Sequence, residues 1–490
     1  MGKLSILITT LIILVGFGVS DEQNVRLYPI QQPLDHFVFG GQSSNATFSQ
    51  RVFVDYTFRD GHPNEDGMPV LVYLGGEADV RYWVGGGGIV TLAASRFRAL
   101  VIYIEHRFYG QSVPLGSIDA AMMDPYVRGC LTSHQALADA ASVIRRLKSD
   151  WSLQHSPVIA FGASYSGMLA AWFRIKYPHV VDGALASSAP VLDSEDIAPE
   201  NEYCTIVSRD FKNINKKCHD TIAGSWKLID EVAAQPDGLD QLSHIFSLCG
   251  PLFTATELKK YLAQVYNYAA QYNGRFGQIP QLCSIISEAS EYNILKGIGD
   301  AILHYSEDES CNNITLMSSG SRYSILDRAS MIAWDWQVCS ELVPHQGCSE
   351  STMFERHPFN LSTFSEDCFD QYGEYPHSDW ISTYYGGQNL KSSLKTSASN
   401  IIFSNGLLDP FSGASILEDV SKTVVAITTK QGSHCLDMNP PQDNDPKWLK
   451  HQREKELRII GHWIETANSS SNQMSSLGVW LLLVSLYFIV

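Results

Sequence analysis

Five short runs in this chain are apolar or aromatic at every position. They are Val70-Leu71-Val72-Tyr73-Leu74, Leu100-Val101-Ile102-Tyr103-Ile104, Val158-Ile159-Ala160-Phe161, Ile401-Ile402-Phe403 and Val424-Val425-Ala426-Ile427. A strand with one wet face alternates apolar and polar residues. A continuous run needs cover on both faces, as strands have in a parallel sheet flanked by helices. A helical pattern separates two of the runs. After Leu131-Thr132-Ser133, apolar residues recur at Ala136, Leu137, Ala140, Val143, Ile144 and Leu147. Strand, helix, strand predicts an α/β fold with a mostly parallel sheet and right-handed crossovers. At 490 residues and 44% hydrophobic, the chain can bury a large core.

The third and fourth runs are far apart, and the intervening chain is different in kind. Eight of the ten cysteines fall there: Cys204, Cys218, Cys249, Cys283, Cys311, Cys339, Cys348 and Cys368. An even, clustered set predicts a disulfide-stapled unit over residues 195–375, although spacing alone leaves the connectivity open. Its pattern is helical. Thr254-Ala255-Thr256-Glu257 is a capping box, followed by Leu258, Tyr261, Leu262, Val265 and Tyr266 and ended by Asn273-Gly274. The sheet domain is therefore split into residues 21–194 and 376–467. Its last helix is expected to start at Asp445-Pro446 and run to about Ile464. No paired CxxC or HxxxH spacing occurs, so no metal is expected. The net charge of −17, with no basic stripe, argues against nucleic acid as a partner.

Both ends carry targeting features. Lys3, the apolar stretch to Val19 and the small-x-small site Gly18-Val19-Ser20 predict a signal peptide over residues 1–20. Sequons at Asn45, Asn313, Asn360 and Asn468 fit an exported glycoprotein. The uncharged tail Leu477 to Val490 is shorter than the about 20 residues a spanning helix needs. It follows a small polar stretch, Ala467 to Asn472, so residues 468–490 resemble a GPI-attachment signal. A short tail anchor and a helix belonging to the fold are the alternatives. The expected address is the secretory pathway: extracellular, cell-surface or lysosomal.

The chemistry points to Val158 to Met168. A buried strand, then Gly162-Ala163-Ser164-Tyr165-Ser166-Gly167, then a helix is the layout of a nucleophile elbow. Small neighbours permit the bend that pushes a serine out above the sheet. The N–H of Tyr165, opening the helix, is a natural oxyanion donor. The pattern G-x-S-x-G is broken at Ser166, and a plain Gly/Ser turn is the bland alternative. Asp409 and His434 then follow the fourth and fifth apolar runs. Nucleophile, acid and base in that order, each after a strand, match the α/β-hydrolase arrangement.

With these residues in hand, the chain resembles a family of exported serine peptidases. The family includes lysosomal Pro-Xaa carboxypeptidase, dipeptidyl peptidase II and thymus-specific serine protease. The stretches that carry the likeness are Gln32 to Phe37, Leu74-Gly75-Gly76-Glu77, Glu105 to Gly110, Leu131 to Asp139, Gly162 to Trp172, Asn405 to Ser412 and Gly432 to Met438. Gln32 to Phe37, Tyr384 to Gly387 and Gly432 to Met438 are most similar to the thymus-specific branch.

The resemblance implies an α/β-hydrolase with residues 195–375 as a helical cap. It implies Ser164 as nucleophile, Asp409 as orienting acid and His434 as base. It also implies the disulfides Cys204–Cys348, Cys218–Cys283, Cys249–Cys311 and Cys339–Cys368. Met168, Phe411 and Met438 correspond to an apolar proline pocket, although the carboxypeptidase and dipeptidyl peptidase have Trp at the latter two places. The loop after the first run is expected to offer a second oxyanion N–H from Gly76 or Glu77. Glu77 is alternatively expected to bind a substrate amino terminus or to pair with Arg107. Gly85 to Gly88 is expected to be a flexible loop, since no phosphate-loop lysine follows. Cys130 and Cys435 are left as a pair or as reduced thiols.

The expected activity is exopeptidase hydrolysis of short peptides next to proline, with no cofactor. A carboxylesterase or lipase, and a non-catalytic surface protein on the same scaffold, are the competing classes. A homodimer and a C-terminal lipid anchor are further expectations.

Overall fold

In this computed structural model the described residues run from Asn24 to Tyr487, except 41–44, 60–64, 87, 195–196, 306–309, 315–326 and 387–388. Residues 1–20, where a signal peptide is expected, lie outside them. So do residues 488–490 and the side chains from position 470 onward.

Each of the five apolar runs is a strand in one sheet of eight. In chain order the strands are β1 (Val25–Pro33), β2 (Thr47–Asp55), β3 (Val70–Leu74), β4 (Leu100–Ile104), β5 (Val158–Ala163), β6 (Gly183–Ser187), β7 (Ile401–Gly406) and β8 (Val424–Thr429). Their spatial order is β1-β2-β4-β3-β5-β6-β7-β8. The β1–β2 and β2–β4 pairs are antiparallel and all later pairs parallel. The continuous runs have the predicted cause. Val70, Val72, Val158 and Ala160 enter one core, while Leu71, Tyr73, Ile159 and Phe161 enter another on the opposite face. The chain steps outward from β3 to β4, then returns past β3 to β5. The reversal opens a crevice at the carboxyl ends of β3 and β5, where sites of open α/β sheets form.

β6 escapes the sequence reading because its residues, Gly183-Ala184-Leu185-Ala186-Ser187, are mostly small. Packing demands it. A Cβ at Gly183 would lie 2.4 Å from the Trp463 ring, and one at Gly167 would lie 2.7 Å from Ser187 O. β1 is an edge strand that carries Pro29 and Pro33, residues that lower strand propensity except at edges.

Among the described residues, the chain from Glu202 to Tyr372 holds helices and isolated bridges but no strand of the sheet. A separate core joins Val207, Phe211, Trp226, Leu262, Tyr266 and Ile298 there. The four disulfides are Cys204–Cys348, Cys218–Cys283, Cys249–Cys311 and Cys339–Cys368, the pairing the resemblance implied. Cys130 and Cys435 are free thiols and not a pair.

Three expectations need correction. The last helix does not stop near Ile464; it spans Lys447–Tyr487, so Asn468 and the rest of the small polar stretch continue it. No strong breaker interrupts the chain there. Among the described residues no helix is long and apolar enough to cross a membrane. The glycine run is not wholly a loop. Gly88 opens the helix Gly88–Phe97 at φ +74°, and a Cβ on it would lie 2.0 Å from Met438 O. Glu77 does not pair with Arg107. That buried guanidinium bonds Asp139 at 2.7 and 2.8 Å, and also the carbonyls of Leu34, Cys130 and Pro33.

Candidate active site

Strand β5 delivers Ser164 to the crevice, and the helix Tyr165–Lys176 leaves from it. Ser164 sits at φ 57°, ψ −125°, a conformation an L-residue adopts only when its surroundings enforce it. The enforcement is visible. Ser164 N–H donates to Ser187 O at 2.9 Å. Ser166 Oγ accepts from Ala163 N–H at 2.8 Å and donates to Ala163 O at 3.0 Å. The serine that breaks the G-x-S-x-G pattern therefore ties the turn together. Gly162 is indispensable in the same turn: a Cβ there would lie 1.9 Å from Ser166 O.

Asp409 follows β7 and is wholly buried. One carboxylate oxygen accepts Phe411 N–H at 3.0 Å; the other lies 2.9 Å from His434 Nδ1. His434 follows β8. Burial alone would lower its pKa, but the Asp409 charge, Cys435 and the Asp409 hydrogen bond override it, and the imidazole is raised well above its usual value. The β7 and β8 loops are stitched by Leu408 N–H to Gly432 O at 2.9 Å. A Cβ at Gly406 would meet Gly432 O at 2.1 Å, so glycine alone allows this approach.

The end of β6 ties the serine to the acid–base pair. Ser187 holds Ser164, and the next residue, Ser188, accepts Cys435 N–H on its hydroxyl at 2.8 Å. The cysteine-rich segment reaches the same place. His434 N–H donates to Gln271 O at 3.0 Å, and the Tyr272 ring stands edge-on to His434 at 5.9 Å. Among the described residues, Ser164 Oγ has no hydrogen bond to His434. In unliganded hydrolases this contact is often long and tightens with substrate.

The other expected site residues divide. Phe411 stands 5.2 Å from the His434 ring. Met168, one turn beyond Ser164, is buried in one core, while Met438 packs against the core on the other face of the sheet. The structure thus brings Phe411 to His434, and the two methionines lie on opposite faces of the sheet. Gly76 lies against the elbow, its Cβ position 3.3 Å from Ser166 Cβ. Burial raises the Glu77 carboxyl, and the charge of nearby His434 works in the opposite direction. Asn45 and Asn360 are exposed, Asn313 and Asn468 partly so.

The sequence reading missed what supports Tyr165. Its hydroxyl accepts from Gln337 Nε2 at 2.8 Å and lies 3.1 Å from His106 Nε2. Burial lowers the pKa of His106 to about 4, so this ring is neutral. Only folding brings Gln337 there, and no local pattern marks it.

Residues 32–456 match the family described as serine carboxypeptidase S28. The chain belongs to that family. Among S28 relatives, it is 35% identical to human lysosomal Pro-X carboxypeptidase over 470 residues, covering 92% of this chain and 90% of the relative. It is 30% identical to prolyl carboxy peptidase like protein 5 of Caenorhabditis elegans, covering 89% of each. Mouse thymus-specific serine protease is 29% identical over 482 residues, covering 90% and 88%. The local motif likeness to the thymus-specific branch therefore does not carry through to whole-chain identity, which is higher for the human S28 carboxypeptidase. Membership makes this chain a serine peptidase of the S28 family acting on peptide substrates.

Proposed function

We propose that this chain is a Pro-Xaa carboxypeptidase: it removes the last residue of short peptides when proline precedes it. The observation that carries the reading is the strained Ser164 elbow beside the buried Asp409–His434 pair, on loops held together at the end of β6. His434 takes the Ser164 proton as Oγ attacks the carbonyl carbon of proline. Asp409 holds the imidazolium that forms. The N–H of Tyr165 and that of Gly76 or Glu77 receive the oxyanion. The C–N bond breaks as His434 protonates the leaving amine. Water, deprotonated by His434, then attacks the acyl-enzyme and frees Ser164. Phe411 supplies an apolar wall for the proline ring beside His434; Met168 and Met438, on opposite faces of the sheet, are the other candidate lining residues. Residues 195–375 act as the cap that admits chain ends.

Mass spectrometry of the products from a peptide library with free and blocked ends tests this. Single-residue loss after proline, abolished by carboxyl-terminal amidation, is expected. Dipeptide release that depends on a free amino terminus would contradict it and favour Glu77 as an amine anchor.

The working address is the secretory pathway or lysosome, with residues 468–490 as the lipid-attachment signal. Phospholipase C treatment of expressing cells should release the protein. Retention on the membrane, or its presence in medium without treatment, would overturn the anchor.

A further inference from the structure

The C-terminal helix Lys447–Tyr487 turns one polar face toward the turn that follows His434 and toward β7, the strand that leads to Asp409. Arg453 Nε donates to Asp437 O at 2.9 Å, and its Nη2 to Leu436 O at 3.2 Å and Asn439 O at 2.8 Å. Those three carbonyls belong to the turn that follows His434. One helical turn beyond Arg453's neighbour Gln452, Glu456 accepts Ser404 Oγ–H at 2.7 Å, and Ser404 accepts Gln452 Nε2 at 2.8 Å. Ser404 lies in β7, the strand that leads to Asp409. Asp437 also faces Ser404, and it accepts Ser187 Oγ–H at 2.5 Å. Ser187 is the residue whose carbonyl holds Ser164 N–H.

Glu456 is fully buried and Asp437 nearly so. Each keeps one carboxyl oxygen, Asp437 Oδ2 and Glu456 Oε2, buried with no partner. Arg453 spends its donors on carbonyls and on Asp445, which it meets at 2.7 Å, rather than on either carboxyl. Two ionised carboxylates about one hydroxyl, away from water, would repel with no cation in contact. One proton on an orphan oxygen removes a charge and supplies the missing donor.

We propose that Asp437 and Glu456 work as one acid pair sharing a single proton, and that this pair is a positioning device for the His434 turn. The proposal rests on His434 being the base that activates Ser164. Burial, reinforced by the charge of Asp437, pushes Glu456 up to about 8, and burial raises Asp437 as well. The other charged or titratable groups facing the pair are Arg453, which favours ionisation of both, Asp445 behind it, and Cys435 on the turn. From β6 and β7 the hydroxyls of Ser187 and Ser404 face the pair. Above about pH 8 the second ionisation puts two like charges under the turn, and His434 loses its register with Ser164.

The test is the rate at which a neutral fluorophosphonate labels Ser164 from pH 5 to 9, in the full chain and in Glu456→Gln. The ratio of variant to parent cancels the titration of His434 itself. It should be flat to pH 7 and rise about tenfold by pH 9, because the amide cannot ionise. Asp437→Asn should show the same rise, and it serves if Glu456→Gln does not fold. Stability gives a second readout. The Glu456 pKa is raised in the fold, so the stability its proton contributes is lost as pH climbs from the ordinary carboxyl range to about 8. The Tm advantage of Glu456→Gln over the parent should grow across that window and then level off. A flat labelling ratio in a folded variant overturns the acid pair while leaving Ser164 as nucleophile. Equal labelling of Ser164→Ala would instead overturn the reading beneath it.

Discussion

Replacing Ser164 with alanine should lower peptide hydrolysis about 10⁴-fold or more while leaving Tm within a degree or two of the parent. The two halves of this expectation have separate causes. The rate loss follows from removing the proposed nucleophile from the strained turn that precedes the helix Tyr165–Lys176. The unchanged stability follows from the local bonding. Ser164 holds its turn through its backbone N–H, while the side chain that ties the turn is Ser166. Thermal unfolding alongside kcat/KM measures both. A variant that lost activity and Tm together would mean that the serine is structural. Replacing His434 should cost a similar factor in rate, because base and nucleophile act as a unit.

The second large effect is expected at Gly162. An added methyl group would sit 1.9 Å from Ser166 O, 2.3 Å from its carbonyl carbon and 2.8 Å from Gly167 N. All three are backbone atoms of the elbow, so no rotamer change relieves the contact. Gly162→Ala should therefore destabilise the protein by on the order of 3 kcal/mol or more. It should also reduce activity in whatever fraction still folds. Gly224, with open space around its Cβ position, is the control: Gly224→Ala should fold normally. Denaturant unfolding of the two variants checks the difference, and equal stabilities would contradict the packing account.

The sequence exposed most clearly what is periodic or local. Continuous apolar runs marked five strands because both sheet faces are covered, and the order of Ser164, Asp409 and His434 along those strands marked the candidate triad, of which the structure joins Asp409 and His434. β6 stayed hidden because its small residues answer to neighbours distant in sequence: Trp463 over Gly183 and the elbow helix against Ser187. The end of the last helix was misplaced because Asn468 to Ser471 are poor helix formers, not strong breakers. Ser166 read as a defect in a motif and proved to be its brace.

What folding assembles from afar was not legible at all. Gln271 O on His434 N–H, Gln337 on Tyr165, and Glu456 with Asp437 by the His434 turn each join ordinary-looking residues from separate elements. The disulfide connectivity was similar in kind. Spacing left it open and a family resemblance supplied it, because pairing is set by where the helices of residues 202–372 lie against one another.

The central claim is that Ser164 forms the acyl-enzyme. Peptide mapping of the protein after reaction with a fluorophosphonate tests it most directly. A single adduct on the peptide that carries Gly162 to Gly167, assigned to Ser164 and absent from Ser164→Ala, is the predicted result. An adduct on another residue, or one that persists in the variant, would contradict it.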